Sequence, residues 1–236
     1  MRGLIAADQV LRIPLLPVLA AQGLSVRRNA QMLPEPAGPR TGRSGRGPRL
    51  RLLICGDSSA AGVGAGTQAQ ALSGQLVDRL AKHYSVEWQL KAATGHTTLD
   101  TLDRLKSVQG EFDAVVTALG VNDVTRAVTS RQFAHRQTQL INALSNDLGA
   151  RRIVVTGVPQ MNRFPALSHP LAWVLGRQAA RLDQALQQVV SAHPHVWHLK
   201  LDLPDDPALA APDGYHPSPH AYALWADAAA QLLRQA

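Results

Sequence analysis

The sequence predicts an α/β fold of three layers, with a parallel sheet between two layers of helices. Three observations predict it. From residue 50 onward, apolar runs of strand length alternate with stretches of helical period. The runs are nearly continuous in Leu, Ile and Val, as strands buried on both faces require. The links between elements are short, so each helix returns the chain to the same sheet.

The elements follow in order. Leu50 to Cys55 is the first strand, closed by Gly56. Leu72, Leu76, Leu80 and Tyr84 recur every fourth residue and predict a helix. Val86 to Ala92 reads as a second strand, and Leu99, Leu102 and Leu105 as a short helix. Phe112 to Leu119 is the third strand. Phe133, Leu140, Ile141, Leu144 and Leu148 line one face of a longer helix that closes near Gly149. Arg152 to Thr156 is the fourth strand. A second long helix carries Leu171, Val174, Leu175, Leu182, Leu186, Val189 and Val190. Val196 to Leu199 makes a short fifth strand, and Leu224, Trp225, Ala228 and Leu232 mark the last helix.

Ahead of this domain, residues 49–236, lie two segments of different character. Residues 34–48 are dominated by Pro, Gly and Arg without an apolar period, the composition of a linker that either wraps along the domain or is mobile. Residues 1–33 form an apolar and basic arm. Asp8, Gln9 and Arg12 fall on one side of a helical wheel, with Leu4, Ile5, Val10, Leu11 and Leu15 around the rest. Pro14 and Pro17 are expected to bend or end that helix. Arg2 and the apolar start faintly suggest a signal peptide. Asp8 and Arg12 break the apolar stretch, however, and no clear small-residue cleavage site follows. The arm is too interrupted to span a bilayer. Two readings stand: a helix lying on a membrane surface, helped by Arg27 and Arg28, or a helix packed on the domain. The expectation is a cytoplasmic protein, with peripheral membrane contact as the alternative.

Charge and composition narrow the function. The net charge is +7, yet residues 1–51 hold nine Arg against Asp8 and Glu35, which carries all of it. The remaining 15 basic and 15 acidic residues cancel. A neutral domain with a basic arm suits an anionic surface or acidic partner better than nucleic acid. Aromatics are 4% of the chain, too few for a base-stacking platform. One cysteine, Cys55, excludes an internal disulfide and reads as a small core residue.

The chemistry gathers at strand ends. Gly56-Asp57-Ser58-Ser59 follows the first strand, where open α/β sheets hold their ligands. Ser58 either caps a helix or acts as a nucleophile, and a nucleophilic Ser needs an adjacent base. Asp213-Gly214-Tyr215-His216-Pro217 offers one. A carboxylate three residues before a His can sit on the same turn and fix the imidazole tautomer. Ala93-Thr94-Gly95-His96 and Gly120-Val121-Asn122-Asp123 each follow another apolar run. Asn122 is either an ordinary turn residue or a neutral donor toward developing charge. Asp57 and Asp123 read as structural carboxylates, and His96 as a wall residue. His193, His195 and His198 lack a nearby Cys or Glu and do not read as a metal site.

These four blocks, in this order, resemble the SGNH hydrolases, the GDSL-type esterases and lipases, over roughly residues 50–236. The resemblance implies a flavodoxin-like five-stranded parallel sheet. It implies a Ser58 nucleophile, a His216 base oriented by Asp213, and an oxyanion hole of the Ser58 and Gly95 N–H groups with the Asn122 amide. Ser59 stands where the family often has Leu. The implied activity is hydrolysis of an acyl ester through an acyl-enzyme, without metal or organic cofactor. A thioester, or an acetyl group on a sugar, fits the same machinery, and a membrane-associated binding module without turnover is the non-enzyme alternative. The loop after the fourth strand carries Met161, Phe164 and Leu167, followed by Trp173. These four either form an acyl-chain pocket or cover the core.

Overall fold

A computed structural model describes residues 7–29, 31–204 and 206–235, with the side chains of 7–12 and 29 left out. The arm positions Arg2, Leu4 and Ile5, and the side chains of Asp8, Gln9, Val10, Leu11 and Arg12, therefore lie outside the described residues.

Helix α1 spans Ala7–Asn29 and strand β1 Thr41–Ser44, followed by β2 Arg49–Gly56. Helices α2 Ser58–Ala61 and α3 Leu72–Leu80 lead to β3 Ser85–Ala92 and α4 Thr98–Leu105. Then come β4 Ala114–Ala118, α5 Val121–Thr125, α6 Ser130–Asn142 and β5 Arg152–Thr156. Helix α7 Leu171–Ser191, β6 Val196–Leu199 and α8 Pro219–Gln235 complete the chain.

The sheet has six strands in the order β1-β3-β2-β4-β5-β6. The five from β2 onward run parallel, in the flavodoxin-like order. The sixth is β1, antiparallel on β3 from Thr41 opposite Gln89 to Ser44 opposite Val86. The expected count of five is thus short by one edge strand. Thr-Gly-Arg-Ser is exposed at all four positions and so carries no apolar alternation; backbone pairing makes it a strand, with the Arg43 side chain also donating to Ser85 Oγ of β3 (3.1 Å).

Strand periodicity divides the core in two. Leu53, Cys55, Val115, Ile153 and Val155 point to one face and meet Phe133, Leu140 and Ile141 of α6 and Leu182 and Leu186 of α7. Leu52, Ile54, Val116 and Val154 point to the other, against Leu72, Leu76 and Leu80 of α3 and Trp225, Ala229 and Leu233 of α8. Every strand of the parallel set therefore delivers its carboxyl end to one edge, with rigid layers on both sides.

The described residues before residue 49 lie along this domain. Pro36 is buried beside Gly62, and Ala37 bridges to Thr67. Helix α1 continues through Pro14 and Pro17. Each proline removes a donor, but packing further along the helix overrides the local break. Val26 packs on the core, and the Gln22 side chain donates to His169 O (2.7 Å) and accepts from Leu171 N (3.1 Å). The outward side of α1 leaves Ile13 69% and Leu16 58% exposed, with Leu24 beside them. No helix among the described residues is long and apolar enough to cross a membrane.

Candidate active site

The site begins where β2 ends. A Cβ on Gly56 would stand 2.0 Å from the Ala118 carbonyl oxygen, so only glycine lets β2 and β4 approach this closely as the chain turns. Asp57 then caps the short helix α2. Its Oδ1 accepts from the Ser59 N–H (2.9 Å) and the Ser59 hydroxyl (2.7 Å). The Ser59 hydroxyl thus supplies a second hydrogen bond to a buried carboxylate. Burial pushes the Asp57 carboxyl up to about 6. Cys55, one strand position earlier, is wholly buried, and its thiol is pushed up to about 12, which removes it as a nucleophile.

Ser58, the first residue of α2, faces the loop between β6 and α8. His216 Nε2 lies 2.9 Å from Ser58 Oγ, and His216 Nδ1 lies 2.5 Å from Asp213 Oδ2. Nδ1 carries the proton toward the carboxylate, so Nε2 is left to accept from the hydroxyl. The other oxygen of Asp213 accepts the Tyr215 and His216 N–H groups, both at 3.0 Å. Burial works against the Asp213 charge, but the hydrogen bonds from the His216 ring and these two amides outweigh it and hold the carboxyl below its ordinary value. Tyr215 stands edge-on to the His216 ring, with centroids 5.5 Å apart, and to Phe164, at 5.1 Å. The imidazole is therefore held by a carboxylate at one edge and an aromatic wall beside it.

The third and fourth blocks meet at the same edge. Asn122, on α5, donates through Nδ2 to His96 O (3.1 Å), which ties it to the Gly95 turn. Asp123 is fully buried, and its Oδ2 accepts the Thr98 N–H and hydroxyl, both at 3.0 Å. It joins the Asn122 turn to the start of α4. Burial raises its carboxyl pKa against these bonds. The three histidines 193, 195 and 198 point to separate partners: Val189 O, the Ser145 hydroxyl and Asp183, each at 2.8 Å.

Next to Ser58 and His216 opens a cavity of about 440 Å³. Its lining is mainly apolar and includes Phe164, Pro165, Leu201, Leu209, Tyr215 and Trp225. The four apolar residues read as one group divide here. Phe164 lines the cavity. Met161 and Leu167 are buried in the core behind it, and Trp173 is not part of the lining. The second wall, which includes Leu201, Leu203, Pro207 and Leu209, is not marked by the sequence as a pocket; its one signal is leucine recurring among Asp and Pro. Arg163 Nη1 donates to Leu203 O (3.4 Å) and links the two walls.

A hydroxyl, an imidazole and a carboxylate in line at the carboxyl edge of a flavodoxin-like sheet define a protein of the SGNH type. The chain belongs to the GDSL-like lipase/acylhydrolase family, whose model matches residues 54–224. It is 31% identical over 202 residues to the GDSL-like esterase Rv1075c of Mycobacterium tuberculosis. That match covers 79% of this chain and 62% of the relative, so the chain spans less than two thirds of the curated relative's length. The fold is similar to the psychrotrophic esterase EstA of Pseudoalteromonas, with TM-score 0.59, 20% identity, and 78% and 97% of the two chains covered. It is also similar to a lipase/acylhydrolase of Enterococcus faecalis, with TM-score 0.58, 20% identity, and 79% and 96% covered.

Proposed function

We propose that this chain is a carboxylic ester hydrolase that cleaves acyl esters through a Ser58 acyl-enzyme. The observation that carries the reading is the Asp213–His216–Ser58 hydrogen-bonded line beside an apolar cavity. His216 Nε2 takes the Ser58 proton as the hydroxyl attacks the acyl carbonyl, and Asp213 stabilises the imidazolium that forms. The alcohol leaves with that proton. Water then attacks the acyl-enzyme, with His216 again as base, and the acid departs. The Ser58 and Gly95 N–H groups and the second Asn122 N–H hold the oxyanion; the first Asn122 N–H is engaged by His96 O. The lining of the cavity favours an acyl chain over the acetyl group of a sugar. The relative's name, an esterase, supports the same reaction class.

The test is covalent. A fluorophosphonate probe is expected to label Ser58, identified by peptide mass spectrometry, and to stop release of p-nitrophenol from a p-nitrophenyl ester. Ser58→Ala is expected to lose both label and turnover. Labelling elsewhere, or full turnover in folded Ser58→Ala, overturns the reading.

A second reading concerns where the enzyme works. The exposed Ile13, Leu16 and Leu24 of α1, followed by exposed Arg27 and Arg28, favour an anionic membrane surface. The full chain is expected to sediment with phosphatidylglycerol vesicles at low salt and to do so less at high salt. The double variant Leu16→Glu, Leu24→Glu is expected to stay in solution with turnover of a soluble ester intact. A full chain that ignores anionic vesicles refutes this reading.

A further inference from the structure

The Gly95 turn is held from outside the part of the chain that the family model matches. That match begins at residue 54, whereas Glu35 and Arg40 lie in the Pro/Gly/Arg-rich segment before it. Glu35 Oε1 accepts the Thr94 N–H (2.7 Å) and the Thr94 hydroxyl (2.9 Å). Glu35 Oε2 accepts from Arg40 Nη1 (2.7 Å), and Arg40 Nη2 donates to Ala92 O, the last residue of β3. Arg40 is itself anchored, because its carbonyl accepts from Leu90 N (2.7 Å) where the chain enters β1. Arg126 holds the other side of the turn: Nη2 donates to Gly95 O (2.9 Å) and Nη1 to Asp100 (3.4 Å).

These contacts bracket one peptide plane. The Gly95 N–H belongs to the Thr94–Gly95 peptide. Glu35 fixes the amide before that plane, and Arg126 the carbonyl after it. Gly95 has φ +84°, a left-handed turn that reverses readily when nothing secures its ends. An oxyanion donor contributes by being aimed before charge develops, so a small rotation of this plane removes much of its effect. Arg40 also keeps the clamp charged. Burial disfavours the Glu35 carboxylate, but the Thr94 amide and Arg40 outweigh it and hold the carboxyl below its ordinary value.

We infer that Glu35, braced by Arg40, is a positioning residue that orients the Gly95 N–H as an oxyanion donor. This rests on the assignment of Gly95 to the oxyanion hole. The segment that carries Glu35 is then part of the catalytic apparatus rather than a spacer between arm and domain. A carboxylate suits the task because one oxygen can serve both Thr94 donors while the other takes the arginine.

The experiment uses the full chain with Glu35→Ala and Glu35→Gln. Glu35→Ala is expected to lower kcat on a soluble p-nitrophenyl ester about tenfold with KM unchanged, as for a donor effective only in the transition state. Glu35→Gln keeps an acceptor oxygen for the two Thr94 donors but turns its amide N–H groups toward Arg40, and is expected to recover part of kcat. Amide NMR supplies the second readout: the Thr94 and Gly95 resonances are expected to move in Glu35→Ala and return toward wild type in Glu35→Gln. Wild-type kcat in folded Glu35→Ala overturns the inference. So does a loss of kcat that follows falling thermal stability with no recovery in Glu35→Gln. If the wild type turns over no ester, the hydrolase reading fails; the amide resonances then decide the clamp alone, and unmoved Thr94 and Gly95 signals in Glu35→Ala overturn it.

Discussion

Lengthening the acyl chain of the substrate is the perturbation that probes the cavity most directly. A methylene occupies about the share of liquid taken by one water, ~30 Å³. The cavity of about 440 Å³ therefore holds a chain on the order of a dozen carbons. Each methylene moved from water into apolar surroundings gains about 0.8 kcal/mol, roughly fourfold in kcat/KM when the gain is realised in the transition state. From acetate to octanoate the six added methylenes give about 5 kcal/mol, roughly several thousandfold. The assay is kcat/KM on p-nitrophenyl esters from acetate upward, below their aggregation limits. Leu201→Trp, which narrows the cavity from its second wall, is expected to move the optimum toward shorter chains and leave acetate hydrolysis nearly unchanged. Phe164→Ala is expected to move it toward longer ones. A flat series in the wild type, or an optimum indifferent to both substitutions, refutes the claim that this cavity receives the acyl chain.

Two further outcomes follow from the site. Asn122→Ala is expected to lower kcat about a hundredfold, the usual loss for one oxyanion donor, with circular dichroism unchanged; near-normal turnover removes Asn122 from the hole. Asp57→Asn tests the buried cap. The Asp57 pKa is raised in the fold from 3.8 to about 6, so the folded state binds the proton more tightly. The charged form then costs stability that appears as pH rises from about 4 to about 6 and persists above. The neutral amide avoids that cost and still caps the helix. Asp57→Asn is therefore expected to gain up to about 3 kcal/mol relative to wild type at about pH 7 and little at about pH 4, read from urea unfolding midpoints. An equal difference at both pH values contradicts the argument.

Much of this architecture was legible because period and chemistry coincide. Ser58, Gly95 and Asn122 each follow an apolar run, so locating the strands located the edge at which their motifs meet. The Asp213–His216 spacing speaks for a shared turn, and the structure places there two hydrogen bonds from His216, one from its ring and one from its backbone N–H, to the Asp213 carboxylate. What was missed lacks an apolar signature. Strand β1 is four exposed residues, paired mainly through backbone. Glu35 and Arg40 lie among prolines and glycines, and only the folded chain brings them to Ala92 and Thr94. Met161 and Leu167 share the composition of a cavity wall with Phe164. Which apolar side chain faces a void and which faces the core depends on loop direction, and composition does not carry it.

Strand β1 has a colloidal consequence. It occupies the outer hydrogen-bonding groups of β3, a strand that carries Val86, Trp88 and Leu90 in its interior positions. Gly42 lies against the Trp88 indole, where a Cβ would stand 3.2 Å from Nε1, so the edge lies flat on that ring. With β1 in place the sheet ends in Thr, Gly, Arg and Ser, and Arg43 adds a charge along the rim. Peeled away, it would bare the Val86–Gln89 edge of β3, able to pair with the same strand of a neighbouring molecule. The Pro/Gly/Arg-rich segment thus also keeps one molecule's sheet from continuing into the next, and preparations trimmed past residue 44 should self-associate through that rim.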